Sequence, residues 1–230
     1  MQASTEVRWF ISSANTIEAL SEWFALFGQF LGEREFDHAD YYLHLQGVTN
    51  LGIKIREAAR DDSGNWRGKI EAKVLTRELA TLKLENGAAG EANQWVKFSF
   101  SLEPGEPTLS QILDAFIEGK TDDAAAMHWM KMEKSRILVY YDQQSKSFQK
   151  DPPVEREGCG IELTATRITG EVHHSFALES FSASGRHEEN FFEALNYFFS
   201  ELAVPGLSRN LSFGYPEFLT RESTATVLGK

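Results

Sequence analysis

The chain has 230 residues, of which 42% are hydrophobic and 25% charged, a length and balance that suit a soluble globular protein with one substantial core. Its net charge of −11 argues against general nucleic-acid binding, so no DNA partner is expected, while leaving room for a local basic cavity. A lone cysteine, Cys159, no signal-peptide pattern in MQASTEVRWF and no apolar run of membrane-spanning length point to a reducing, cytoplasmic setting without a membrane partner.

Glu6 to Ile11 alternates, with Glu6 and Arg8 on one face and Val7, Trp9 and Ile11 on the other, which predicts a strand. A helix follows over Ile17–Phe30: Asn15 and Glu18 have capping-box spacing, Ile17, Leu20, Phe24 and Phe27 repeat at helical spacing, and Gly32 is the expected stop. Glu33 to Leu45 returns to an extended pattern around Asp40, Tyr41 and Tyr42. Leu51 to Val74 then reads as a hairpin. Ile53 and Ile55 oppose Lys54 and Arg56; across a turn over Asp61, Asp62, Ser63, Gly64 and Asn65, Ile70, Ala72 and Val74 oppose Lys69, Glu71 and Lys73. After Thr76 the stretch Asn86-Gly87-Ala88-Ala89-Gly90 reads as a loop.

Gln94 to Leu102 alternates again, with Lys97, Ser99 and Ser101 on its polar face, and Pro104 and Pro107 close it. Thr108 and Gln111 cap a short expected helix to about Gly119. Met127 to Tyr141 is strand-rich, with Lys134 and Arg136 on one side and Ile137, Val139 and Tyr141 on the other. Pro152-Pro153 interrupts the chain before two strands, Gly160–Ile168 and Val172–Ala183, whose polar faces carry Glu162 and Glu179. His187–Leu202 is an amphipathic helix with Phe191, Leu195, Phe198 and Leu202 on one stripe. The fold class is therefore mainly β (α+β), with about eight strands and three helices, and eight strands can close into a barrel.

For one such strand alone, a charged face turned to water is the commoner arrangement. Two features reverse that expectation. The aromatic-rich helices must pack on something, and the apolar strand faces are their natural partners, which leaves the charged faces for the barrel interior. The charge is also sorted by strand. Lys54, Arg56, Lys69, Lys73, Lys97, Lys134 and Arg136 fall on the middle strands, whereas Glu6, Glu162 and Glu179 fall on the early and late ones. Concentrated cations repel unless an anion lies among them; phosphate groups pair with Arg bidentately and are neutralised by Lys. Carboxylates at one end would supply the oxygen ligands that Mg²⁺ or Mn²⁺ takes. His173 and His174 alternate across a strand and cannot share a metal, and His128 stands alone. Cys159 has no matching base and reads as a packed residue; Asp61-Asp62-Ser63-Gly64 reads as a turn rather than a calcium loop.

The ordered set of strand motifs resembles the CYTH superfamily, the triphosphate tunnel metalloenzymes. That family opens on Glu-x-Glu-x-Lys, to which Ser4, Glu6 and Arg8 correspond here. Its tyrosine strand is similar to Asp40-Tyr41-Tyr42, its Leu-Arg-x-Arg strand to Gly52-Ile53-Lys54-Ile55-Arg56, and its next Lys strand to Glu71-Ala72-Lys73. Lys134-Ser135-Arg136, Ile161-Glu162-Leu163, Ala177-Leu178-Glu179 and Tyr215-Pro216-Glu217-Phe218-Leu219 match the later motifs, so the resemblance covers nearly all of residues 1–230 as a single domain. It implies an eight-stranded antiparallel tunnel with helices outside, acting as a metal-dependent phosphohydrolase on inorganic tripolyphosphate, thiamine triphosphate or a nucleotide. Class IV adenylate cyclases belong to the same family, and a homodimer is allowed. By resemblance Arg8, Lys54, Arg56, Lys69, Lys73, Lys134 and Arg136 hold phosphates, and Glu6, Glu162 and Glu179 hold Mg²⁺ or Mn²⁺ and activate water. Ser4 and Ala177 depart from the pattern, each standing where a carboxylate is expected. That departure makes a non-catalytic polyphosphate- or nucleotide-binding protein the alternative.

Overall fold

The structure is a computed structural model that describes every residue except 32–35, 37, 61, 63–65, 85–86, 103–126 and 229–230. Its described elements are β1 (Gln2–Ile11), α1 (Ala14–Ala25), β2 (His38–Leu45), β3 (Leu51–Arg60), β4 (Trp66–Lys83), β5 (Ala89–Leu102), β6 (Met127–Asp142), β7 (Ser147–Gln149), β8 (Glu157–Ile168), β9 (Glu171–Ser182), α2 (His187–Glu201), a 3₁₀ turn (Arg209–Leu211) and α3 (Tyr215–Leu228). Eight strands pair antiparallel in the order β2-β3-β4-β5-β1-β9-β8-β6. β6 then returns to β2, with Lys134 opposite His38 and Met127 opposite Leu45, and this last ladder closes the barrel. Closure leaves no long open edge among the eight strands. β7, a short strand that the sequence pattern did not reveal, only extends β6 as a hairpin.

Directly opposed residues share a face of an antiparallel sheet, so the register says which side chains meet inside. Arg8 lies opposite Ala177, and Ala177 opposite Glu162; Glu6 lies opposite Glu179. Lys54 lies between Tyr42 and Glu71, and Lys73 between Gly52 and Lys97. The charged faces are inside. Their apolar counterparts point outward: Val7 and Trp9 of β1, Ile137 and Val139 of β6, Ile161 and Leu163 of β8, and Phe176 and Leu178 of β9 form one core with Leu20, Trp23 and Phe24 of α1 and Phe191, Leu195 and Phe198 of α2. Each fully buried side chain of this size contributes about 1.5–3 kcal/mol relative to exposure. That burial, on the outside of the barrel, is what allows the inside to be polar.

Local sequence explains where α1 starts and stops. Its N-cap is Ser13, which accepts from the Thr16 amide at 3.4 Å, so the cap lies two residues before the expected Asn15. The helix ends well before Phe30. Gly28 adopts φ +66°, and the amides of Gly28 and Gln29 donate to Ala25 O at 3.0 Å and Phe24 O at 3.2 Å, the bonding of a Schellman stop. Gly28 therefore does the work assigned to Gly32, which lies outside the described residues. The expected helix of Thr108 to Gly119, Pro104 and Pro107, and most of the Asp61–Asn65 turn also lie outside them.

β4 and β5 are longer than the alternation suggested. They pair from Gly68 opposite Leu102 to Lys83 opposite Ala89, with irregularities between Leu75 and Arg77 and between Glu78 and Ala80. Each bulge shifts the inside–outside phase, which hid the continuation past Thr76 from a period-two reading. At one end Phe213, Phe218 and Leu219 pack on Phe10, Tyr42 and Met132, so that α3 and the segment before it cap the barrel. Among the described residues, no helix is long and apolar enough to cross a membrane.

Candidate functional site

The barrel encloses a cavity of about 190 Å³. Its wall includes seven cations (Arg8, Lys54, Arg56, Lys73, Lys97, Lys134 and Arg136) and five carboxylates (Glu6, Asp40, Glu71, Glu162 and Glu179), an excess of two positive charges. Nine of the ten residues expected at the site from sequence thus meet in one place. The tenth, Lys69, is opposite Arg56 in the ladder, is exposed and is not part of the wall.

The charges are interleaved rather than divided into a basic half and an acidic half. Arg8 Nε donates to Glu6 Oε1 at 2.9 Å, and its Nη1 donates to Glu162 Oε1 and to Ser175 Oγ, both at 3.0 Å. Arg136 Nη1 donates to the other Glu162 oxygen at 3.3 Å. Lys73 Nζ bonds Glu6 and donates to Glu179 Oε1 at 2.9 Å. Lys54 Nζ reaches Asp40 at 2.9 Å and Glu71 at 3.3 Å, and Lys134 Nζ donates to Tyr42 Oη at 2.8 Å. The physical reason for the mixture is cost: a cavity wall with unpaired charges must desolvate each one without compensation.

These pairings set the protonation states. Burial would raise the Glu162 carboxyl, yet Arg8, Arg136 and Lys134 hold it well below the usual carboxylate range. Burial opposes ionisation of Glu179 as well, but Lys73 and a hydrogen bond from Ser4 lower it to about 2. Burial disfavours the charged Lys73 ammonium, and Glu179 and Glu6 outweigh this and raise it above the usual lysine value. Asp40 and Glu71 are likewise lowered, against the effect of burial, by Lys134 and Lys54 at the first and by Lys54 and Lys97 at the second. Every wall carboxylate with a resolved shift stays ionised at neutral pH.

Aromatic rings complete the wall. Lys134 Nζ lies 4.1 Å from the Tyr215 ring centroid and 4.7 Å from that of Tyr42, Arg8 lies 4.7 Å over Tyr215, and Lys73 lies 5.5 Å from Trp95. Burial raises the Tyr215 phenol, but Lys134 and Arg8 dominate and lower it. Tyr42, and not Tyr41, is the strand-β2 tyrosine in the wall. Sequence reasoning gave no role at the cavity to Trp95, Thr164 or Gly214. Trp95 shares the parity of Lys97, Ser99 and Ser101 on an uninterrupted β5, the irregularities being on β4, so the period-two pattern places it inward; an uncharged ring on that face carried no sign of a role.

A divalent ion in this wall needs several oxygen ligands converging on one point. Glu6 and Glu162 have the Arg8 guanidinium between them, and Glu6 and Glu179 have the Lys73 ammonium between them. Ser4, where the family resemblance expects a carboxylate, donates its hydroxyl to Glu179 Oε1 at 2.8 Å. Ala177, the other such position, is buried and adds no oxygen. Among the described residues, the group of three potential ligands that does converge, within 4.8 Å, is Glu171, His173 and Glu222, where β9 meets α3 and away from this wall. The donor set in the cavity does not fit a resident metal.

No family model matches the chain, and no curated protein matches it. Several solved structures are similar to it over nearly the whole chain. A candidate adenylyl cyclase from Hippeastrum, described as having a dominant triphosphatase activity, is 13% identical with a TM-score of 0.47, over 97% of this chain and 96% of that one. A Pyrococcus horikoshii protein is 15% identical with a TM-score of 0.46, over 95% and 99% of the two chains. A candidate adenylate cyclase from Bacillus halodurans is 12% identical with a TM-score of 0.38, over 90% and 95%.

Proposed function

We propose that residues 1–230 form a single tunnel-type domain that binds the phosphate groups of a linear polyphosphate or an organic triphosphate inside the barrel, in the cytoplasm. One observation carries this reading: Lys54, Arg56, Lys73, Lys97, Lys134 and Arg136, drawn from four strands, converge with Arg8 on a single cavity. The wall also divides by exposure. Arg136, Arg56 and Lys73 are 41%, 32% and 27% exposed and can exchange a carboxylate for a phosphate oxygen, whereas Arg8, at 6%, is fixed framework. Arg136 and Arg56 offer planar forks to phosphate, and Lys73 offers a compact charge. Calorimetric titration with tripolyphosphate tests this: saturable one-site binding is expected, and the absence of binding overturns it.

A second reading is a hydrolase that cleaves the bound triphosphate with Mg²⁺ or Mn²⁺. It is favoured by charge, because a fully ionised triphosphate carries more negative charge than the wall's excess of two positive charges offsets. A divalent ion arriving with the ligand would close part of that gap. Phosphate release from tripolyphosphate, thiamine triphosphate or nucleotides, abolished in Glu6→Gln, is the result this reading requires.

A further inference from the structure

We infer that Arg8 is a built-in cation standing in the place a divalent ion would need between Glu6 and Glu162, so that the cavity binds its anion without a metal. The inference rests on the anion-binding reading above and adds to it what balances the acidic wall. Three neighbouring strands converge on the guanidinium: β1 supplies Arg8 and Glu6, β8 supplies Glu162, and β9 supplies Ser175 and Ala177. Arg8 spends both kinds of nitrogen on this wall, with Nε on Glu6 at 2.9 Å and Nη1 on Glu162 and Ser175 at 3.0 Å each. It is 6% exposed, and its cross-strand neighbour Ala177 ends at Cβ, so the space that a longer side chain would occupy is open to the guanidinium.

A metal ion and Arg8 are therefore mutually exclusive at this point. An arginine that stays charged at every accessible pH and is held by three partners does not yield to a hydrated dication that must also shed water. The same substitution extends along the wall. Lys73 bridges Glu6 and Glu179, and the Ser4 hydroxyl occupies Glu179 instead of adding a further carboxylate. An incoming phosphate group meets a wall whose carboxylates are already neutralised, with Arg136 and Lys73 at its accessible side.

The experiment is a thermal-unfolding series on the full chain with four additions: tripolyphosphate in EDTA, tripolyphosphate with Mn²⁺, Mn²⁺ alone, and none. The inference expects tripolyphosphate in EDTA to raise the midpoint at least as much as with Mn²⁺, each read against its own tripolyphosphate-free control, so that any Mn²⁺ held by Glu171, His173 and Glu222 cancels. A shift that appears only when Mn²⁺ accompanies tripolyphosphate overturns the metal-free account and leaves the anion-binding reading standing. No shift with tripolyphosphate under either condition overturns both. Arg8→Ala supplies a second readout: with the guanidinium removed, Glu6 and Glu162 are left uncompensated, and the variant should show a larger Mn²⁺-dependent midpoint shift than the native chain. A folded Arg8→Ala protein whose Mn²⁺ shift is no larger than the native one contradicts the inference, and the native-chain arms decide it if that variant does not fold.

Discussion

Arg8 and Glu162, 154 residues apart in sequence, meet at 3.0 Å inside the barrel, and the same guanidinium also holds Glu6 at 2.9 Å. This contact ties the first strand to the eighth-strand wall and decides the character of the cavity's acidic side. Removing one partner of a buried ion pair leaves the other desolvated and uncompensated, which costs about 3–5 kcal/mol. Arg8→Ala should lose stability on that scale in urea denaturation. Adding Glu162→Gln to the same chain should return part of the loss, because the stranded charge is then gone.

Acid should weaken the fold through the same network. Glu179 titrates at about 2 in the folded chain and Glu162 lies well below the usual carboxylate range, whereas an unfolded Glu titrates near about 4.3. The unfolded state therefore binds protons more readily. The stability from these carboxylates is complete above about pH 4.3 and drains away as the pH falls toward 2. Unfolding midpoints measured from pH 6 to pH 2.5 should decline across that window, and Glu162→Gln should show a shallower decline than the native chain.

Lys73 and Lys69 lie on one strand and both looked equivalent as phosphate ligands, but only Lys73 is in the cavity wall. A charge-assisted hydrogen bond is worth about 1.5–3 kcal/mol, so Lys73→Ala should weaken tripolyphosphate binding by roughly 10- to 100-fold. Lys69→Ala should leave affinity close to native. Equal losses in the two variants would mean that the ligand lies along the exposed strand end rather than inside.

Gly90 offers a test of the outer core that does not involve the cavity. A Cβ built there comes 2.6 Å from Trp9 Cζ2, and Trp9 is fully buried with its indole N–H donating to Ala89 O at 2.7 Å. Gly90→Ala should therefore cost about 1–3 kcal/mol as an overpacked site, without changing tripolyphosphate affinity in the folded fraction.

Much of this arrangement was legible in the sequence because each strand carries its own period. Lys54 and Arg56 against Ile53 and Ile55, or Glu6 and Arg8 against Val7 and Trp9, show two faces locally, and the aromatic stripes of α1 and α2 say which face has a partner. What was hidden is set by register between distant strands. Sorted by position in the chain, bases and acids fall in separate groups of strands; closure instead puts Lys73 between Glu6 and Glu179 and Arg8 between Glu6 and Glu162. Glu71 and Asp40, which neutralise Lys54 inside, gave no sign of that role because their partner comes from another strand. The short β7, the early Schellman stop at Gly28 and the continuation of β4 past Thr76 depend on bulges, turns and backbone hydrogen bonds that a period of two or 3.6 does not encode.

The central claim is that the interior charges are a binding site for phosphate groups and not a structural network alone. Calorimetric titration of the full chain with tripolyphosphate, repeated on Arg136→Ala, addresses it most directly, since Arg136 is the most exposed cation of the wall's ion pairs. The account predicts saturable one-site binding to the native chain and a clear loss of affinity in the variant. Absence of binding to the native chain, or affinity unchanged when Arg136 is removed, would contradict it.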